Sequence, residues 1–203
     1  EGALLLSQKP SSDIRVGPFM ASSSTNPIFR TGTVEFASSQ GTRPYHVVRA
    51  RAFSCGFIFD PDTVRVAVVT QFRPPLGRMC IELLGGFIDP LESPEAALRR
   101  EALEELGAII PSSPEDLVSL GTTRGFHSTL IQDAHLFFAV ATPRRVARTL
   151  DNGEKESEHS AHWIRIPTLA ALVGAGALPN AEQEVCWHRA MAHLARVEAK
   201  EPP

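Results

Sequence analysis

Cysteine is scarce in this chain of 203 residues: Cys55, Cys80 and Cys186 are the whole supply. They stand too far apart for a metal-binding pair, and an odd count without a framework argues against disulfide scaffolding, so all three read as reduced core or surface thiols. That favours an intracellular compartment. Long apolar runs are also missing. Nothing approaches 18 consecutive apolar residues, which rules out a membrane-spanning helix. Charge of one sign is not in excess, with 20 Lys+Arg against 23 Asp+Glu and a net charge of −3. A general nucleic-acid binder is therefore not expected, although a local basic groove stays open. Ser128 and Ser160 have no arranged His and Asp partners, so a nucleophilic triad is unsupported. What is present, 43% hydrophobic residues, suffices for one full core with an added flank.

Residues 1–28 are rich in Ser and Pro from position 7 onward, with little apolar periodicity, and read as a loose arm. Leu4-Leu5-Leu6 lacks the charged start and the length of a signal peptide. The expected location is cytoplasmic, with organellar targeting left open because the chain begins at Glu1 and not Met. From Phe29 the pattern predicts strands over 31–36, 45–48, 52–59 and 64–72, the last two joined by the turn Asp60-Pro61-Asp62. Further strands are predicted over 81–84, 117–122, 134–141 and 162–166, and helices over 167–173 and 181–197. Strands and helices mix irregularly, and neither a βα repeat nor an internal repeat is found. The predicted class is α+β, an α/β/α sandwich with a mixed sheet between helices.

One helix stands out. Ser93 can cap it, Pro94 fits its first turn, Glu95 suits the positive end of its dipole, and Gly107 can terminate it. Leu98, Ala102, Leu103 and Leu106 are expected to pack on a sheet, leaving Glu101, Glu104 and Glu105 to look outward from one arc. Like charges three and four apart on a helix destabilise it by a few tenths of a kcal/mol per pair unless a cation sits among them. Two readings are open at this point: a solvated acidic face, or a site for a divalent metal.

The surrounding residues, Gly86, Glu92, Arg100, Glu101, Glu104, Glu105 and Gly107, resemble the Nudix box G-x5-E-x7-R-E-U-x-E-E-x-G-U, where U is a bulky apolar residue. Ala102 and Ala108 depart from it where Ile, Leu or Val is usual, which touches packing and not chemistry. The resemblance implies a Nudix fold over 29–200, with an additional N-terminal antiparallel sheet. It also implies a hydrolase that cleaves a phosphoanhydride in a nucleoside diphosphate linked to another group, using Mg²⁺ or Mn²⁺. Glu101 and Glu105 would then be the principal metal ligands, Glu104 a further ligand or an orienter, and the carbonyl of Gly85 a backbone ligand. Arg100 would hold a glutamate by ion pairing, and Glu92 would support the loop or bind a water next to the metal.

Outside the box, Gln71-Phe72-Arg73 and Glu82-Leu83-Leu84-Gly85-Gly86 resemble the branch of the family acting on ADP-ribose and other nucleoside diphosphate sugars. Arg73 is the leading candidate for a phosphate or base contact, Arg51 a weaker one, and Arg124 a contact to phosphate or an acidic sugar. The stretch Thr122-Thr123-Arg124-Gly125 lacks the proline usual in the ADP-ribose branch, which bears on sugar and base preference. A base is still needed for the attacking water, and the acidic loop of residues 151–158 offers Glu156 first, then Glu158 and Glu154. The seven histidines form no convincing site; His159 and His162 flank that loop and read as polar surface or core residues. The apolar positions Val34, Phe36, Tyr45 and Val47 lie in N-terminal strands over 29–50 that would be marginal alone, so a homodimer built through them is expected.

Overall fold

A computed structural model describes residues 15–21, 28–124, 129–143 and 159–199. The first strands are β1 (Arg15–Val16), β2 (Met20–Ala21), β3 (Phe29–Ser38) and β4 (Gly41–Ala50). Next come β5 (Phe53–Asp60), β6 (Arg65–Arg73), β7 (Arg78–Glu82) and β8 (Leu84–Phe87), then helix α1 (Pro94–Leu106) and β9 (Ala108–Ile109). They are followed by β10 (Leu117–Arg124), β11 (Leu130–Ile131), β12 (Asp133–Val140) and β13 (Thr142–Pro143). The chain closes with β14 (His159–Arg165), α2 (Ile166–Gly174) and α3 (Ala181–Glu198). Two compact units result, one from residues 1–51 with 126–132 and one from 52–125 with 133–203.

In the first unit β3 and β4 form a long hairpin, paired from Phe29↔Ala50 to Ser38↔Gly41. The loose arm expected over 1–28 contains two short strands within its described stretch 15–21, because β1 and β2 pair with β3. Gly32 makes room for this: a Cβ there would run into the Met20 carbonyl and the Phe19 ring. The expected antiparallel sheet also takes a parallel strand, β11, on the free edge of β4.

The second unit carries a seven-stranded sheet in the order β10-β12-β5-β6-β14, with β7 on β6 and β8 on β5. The β12–β5 pair is parallel and the others are antiparallel, so the sheet is mixed as expected. Alternate residues feed opposite cores. Val66 and Val68 join Phe57, Leu136, Leu169, Cys186 and Trp187 under α2 and α3. Ala67 and Val69 join Ile58, Phe137, Leu98, Ala102 and Leu106 under α1. Burial on both faces is why these strands read as near-continuous apolar runs, and each fully buried large side chain contributes roughly 1.5–3 kcal/mol. Gly56 brings α1 close, since a Cβ there would lie 2.7 Å from Leu98 Cδ1. The three cysteines are buried and free.

At the predicted turn, Asp60 Oδ1 accepts the Asp62 N–H at 3.1 Å and Oδ2 accepts the Thr63 hydroxyl. No helix among the described residues is long and apolar enough to cross a membrane.

Candidate active site

Helix α1 is fixed at both ends by the residues that mark it in sequence. Ser93 Oγ accepts the Ala96 N–H at 3.1 Å, and Gly107 takes a left-handed φ of 61° with its N–H on the Ala102 and Leu103 carbonyls. A further tie reaches the sheet, where the Ser54 hydroxyl donates to the Pro94 carbonyl at 2.6 Å. The turn before the helix closes reciprocally: Asp89 N–H donates to Glu92 Oε2 at 3.0 Å and Glu92 N–H donates to the Asp89 carbonyl at 3.1 Å. That holds Leu91 at φ 70°, a left-handed conformation costing a non-glycine residue about 1–2 kcal/mol.

Arg100 is the hub of the box. Its Nε donates to Glu92 Oε1 at 3.0 Å, and Nη2 to Glu92 Oε2 at 3.2 Å and the Phe87 carbonyl at 3.0 Å. Nη1 reaches Glu101 Oε1 at 2.8 Å and Glu104 Oε2 at 3.1 Å. Five acceptors answer the five N–H donors of a guanidinium. The bond to Arg100 holds the Glu92 carboxyl below its usual range, and the same bond, with those from Glu101, raises the pKa of Arg100 further.

The three glutamates are not equivalent. Glu104 is 32% exposed, whereas Glu101 and Glu105 are 13% and 12% exposed and turn in against the sheet, contrary to the outward arc expected from sequence. Helix geometry explains it: at about 100° per residue, Glu105 lies roughly 20° from Leu98, inside the buried stripe. Leu103, expected to pack, is 43% exposed, and Ala97 is buried instead. Gly86 admits the Glu101 carboxylate, because a Cβ on Gly86 would overlap Glu101 Oε1 and Cδ. Burial pushes the Glu101 carboxyl up to about 7 against the pull of Arg100, with the charges of Glu105 and Glu104 adding to the rise. Glu105 Oε1 lies 3.4 Å from His159 Nε2, and among the described residues Glu105 Oε2 is buried without a hydrogen-bond partner.

Among the described residues, no group of three His, Cys, Asp or Glu side chains stands assembled as a metal cage. The donor set nevertheless suits a hard divalent cation: carboxylate oxygens, one of them buried and unanswered, beside a second carboxylate whose charge burial disfavours. Gly85, the expected carbonyl ligand, sits in β8 opposite Cys55.

Arg73 forms a bidentate pair with Glu82, Nε to Oε1 and Nη2 to Oε2, both at 2.6 Å, and its side chain is 41% exposed. The Glu82 carboxylate also accepts from Gln183 Nε2 at 3.1 Å, and Gln183 Oε1 takes the Leu83 N–H at 3.1 Å. Arg124 pairs with Asp133 at 2.7 Å on the sheet surface. Arg51 ends the first unit, its carbonyl accepting from Gln132 at 2.9 Å. Glu154, Glu156 and Glu158 lie outside the described residues. The structure thus brings together Gly86, Glu92, Arg100, Glu101 and Glu104 as one network, with Glu105 next to it.

Two partners were not foreseen. His159 is 2% exposed at the start of β14 and meets Glu105 only because β14 pairs with β6, His159 opposite Gln71. No local sequence signal marks it. Gln183 was equally silent, but buried Glu82 was marked by its place in the lead-in to the box.

Residues 48–188 match the model of the NUDIX domain. The chain belongs to the Nudix family. It is 57% identical over 42 residues to an ADP-sugar pyrophosphatase of Mus musculus, an alignment covering 21% of this chain and 19% of that protein. An uncharacterised Nudix hydrolase of Schizosaccharomyces pombe is 51% identical over 39 residues, 19% of either protein. The chain therefore spans about a fifth of the length of the curated relatives it matches. A crystal structure described as an ADP compounds hydrolase superposes with a TM-score of 0.72 at 17% identity, covering 93% of this chain and 98% of that one. That likeness is one of fold, and it agrees with the mixed sheet between helices expected from sequence.

Proposed function

We propose that this Nudix protein hydrolyses the pyrophosphate bond of a nucleoside diphosphate joined to a sugar, with ADP-ribose or a related molecule as substrate. The products are a nucleoside monophosphate and a sugar phosphate. The observation that carries this reading is Glu105 Oε2, unanswered among the described residues, beside desolvated Glu101, on a helix where Arg100 already holds one oxygen each of Glu101 and Glu104. A bound Mg²⁺, or Mn²⁺ in its place, would neutralise pyrophosphate charge that otherwise repels the attacking water. Glu101 and Glu105, with Glu104 and the Gly85 carbonyl, would hold it. Arg100 keeps Glu101 and Glu104 in place, and Glu92 keeps the turn over 89–92 closed.

Water attacks one phosphorus, the bridging P–O bond breaks, and the water's proton passes to a carboxylate, for which the sequence offers Glu156 ahead of Glu158 and Glu154. Arg73, its fork set by Glu82, offers the outer edge of its guanidinium to a phosphate. Arg51 and Arg124 stand as further substrate contacts. The name of the mouse relative supports the choice of substrate class. A panel of nucleoside diphosphate derivatives with Mg²⁺ and Mn²⁺, products separated by chromatography, tests it. ADP-ribose and nucleoside diphosphate sugars should turn over fastest. Preference for dinucleotides or RNA 5′ ends would move the substrate, and no turnover by folded protein would leave a ligand-sensing module.

The same reading takes the protein as a cytoplasmic homodimer joined through residues 29–50. Phe29 and Tyr45, 43% and 50% exposed, give those strands apolar surface for a second copy. Sedimentation at micromolar concentration checks the dimer; an active species near 22.1 kDa, unaltered on dilution, would remove it.

A further inference from the structure

His159 has no part in the chemistry above, yet it is one of the few polar side chains buried in the second unit. It is 2% exposed, held by the β14–β6 ladder, and its Nε2 lies 3.4 Å from Glu105 Oε1. The carboxylate it faces is itself 12% exposed, with Oε2 buried and unanswered. Burying a carboxylate oxygen without a partner is costly. A site that keeps such an oxygen fixed needs something to stop the carboxylate from rotating away. Arg100 does not do this, since its five donors go to Glu92, Glu101, Glu104 and the Phe87 carbonyl. Arg73 is engaged by Glu82 at 2.6 Å on two atoms.

We propose that His159 is the positioning residue for Glu105: held by the start of β14 with its Nε2 facing Oε1 at 3.4 Å, it closes to a hydrogen bond on that oxygen when Oε2 is presented to the divalent cation. This rests on the metal site proposed above. Side chains that hydrogen-bond a ligating group from behind set its orientation, and their removal typically lowers metal affinity by roughly ten- to a hundredfold. The imidazole acts through Glu105. The wide separation of the two residues in sequence ties the metal site to the β14–β6 pairing, so the sheet edge and not only α1 sets affinity.

The experiment measures Mn²⁺ binding to substrate-free protein, by electron paramagnetic resonance of free Mn²⁺ and by calorimetry. It compares the wild type with Glu105→Gln, His159→Ala and His159→Gln. Far-UV circular dichroism and thermal melting accompany each variant. Glu105→Gln should abolish measurable binding. His159→Ala should weaken it at least tenfold, and His159→Gln, which keeps a side-chain N–H donor, should recover most of the loss. Wild-type affinity in folded His159→Ala overturns the inference about His159 while leaving the metal site intact. Equal weakening in His159→Ala and His159→Gln also overturns it, because it points to packing and not to the donor. Wild-type affinity in Glu105→Gln overturns the metal site itself. Should His159→Ala fail to fold, His159→Gln against His159→Leu, close to it in size but without a donor, decides the matter in the same way.

Discussion

On one side of α1, the guanidinium of Arg100 answers every carboxylate within its reach; on the other, Glu105, 12% exposed, sits beside His159 with one oxygen unanswered among the described residues. Both sides belong to the same short motif, and their net charges alone would not separate them. Hydrogen-bond accounting does. The Arg100 network ties both oxygens of Glu92 but only one oxygen each of Glu101 and Glu104, so it stabilises the loop and helix while leaving those two carboxylates an oxygen for a ligand. An enclosed oxygen without a partner is a local cost, and a bound cation offsets such a cost. The contrast supports a structural role for Glu92 and Arg100 and, under the proposed function, a metal-holding role for Glu105 beside Glu101.

The largest effect that would sharpen this contrast comes from Glu105→Gln. Its turnover should fall by at least two orders of magnitude at saturating Mg²⁺ while the melting temperature stays level or rises, since the amide removes an uncompensated buried charge. Steady-state kinetics and a thermal melt together check it, and near-normal turnover would end the assignment. Arg100→Ala should show the opposite balance. Glu92, Glu101 and Glu104 lose their shared cation, so stability should drop by about 2 kcal/mol, a fall of roughly 4–8 °C in Tm. Its turnover should decline only about tenfold. If Arg100→Ala were the more inactive and the less destabilised of the two, the division of labour would be reversed. Glu104→Gln should be mildest. The amide oxygen can still accept from Arg100 Nη1, and the side chain is 32% exposed, so a rate loss under about tenfold with unchanged Tm is expected. A loss equal to that of Glu105→Gln would make Glu104 a principal ligand.

How far this contrast was readable beforehand depended on whether the causes were local. Ser93, Pro94 and Gly107 mark the ends of α1 because capping is decided within four residues, and the structure places all three where the pattern does. The apolar strands were equally plain, since two-sided burial writes itself as Val-Ala-Val-Val or Leu-Phe-Phe-Ala. Orientation was harder. The run Glu-Ala-Leu-Glu-Glu-Leu over 101–106 looks like an acidic arc opposite a leucine face, yet the sheet accepts Ala97 and turns Leu103 outward, drawing Glu101 and Glu105 inward. Pairing across the sheet was harder still. That β12 runs parallel to β5, that β11 joins β4, and that β14 brings His159 to Glu105 are facts of long-range register, which no short window encodes. Arg73 shows the intermediate case, a residue singled out in the sequence as a phosphate or base contact whose buried partner Glu82 lies on the neighbouring strand.

The most direct test of the account is ADP-ribose hydrolysis by protein stripped of metal with a chelator and then titrated with Mg²⁺. The account predicts no product before addition, and nucleoside monophosphate with sugar phosphate appearing in equal amounts afterwards. Hydrolysis that proceeds at the same rate in the presence of chelator, or Mg²⁺-loaded folded protein that cleaves no nucleoside diphosphate derivative, would contradict it.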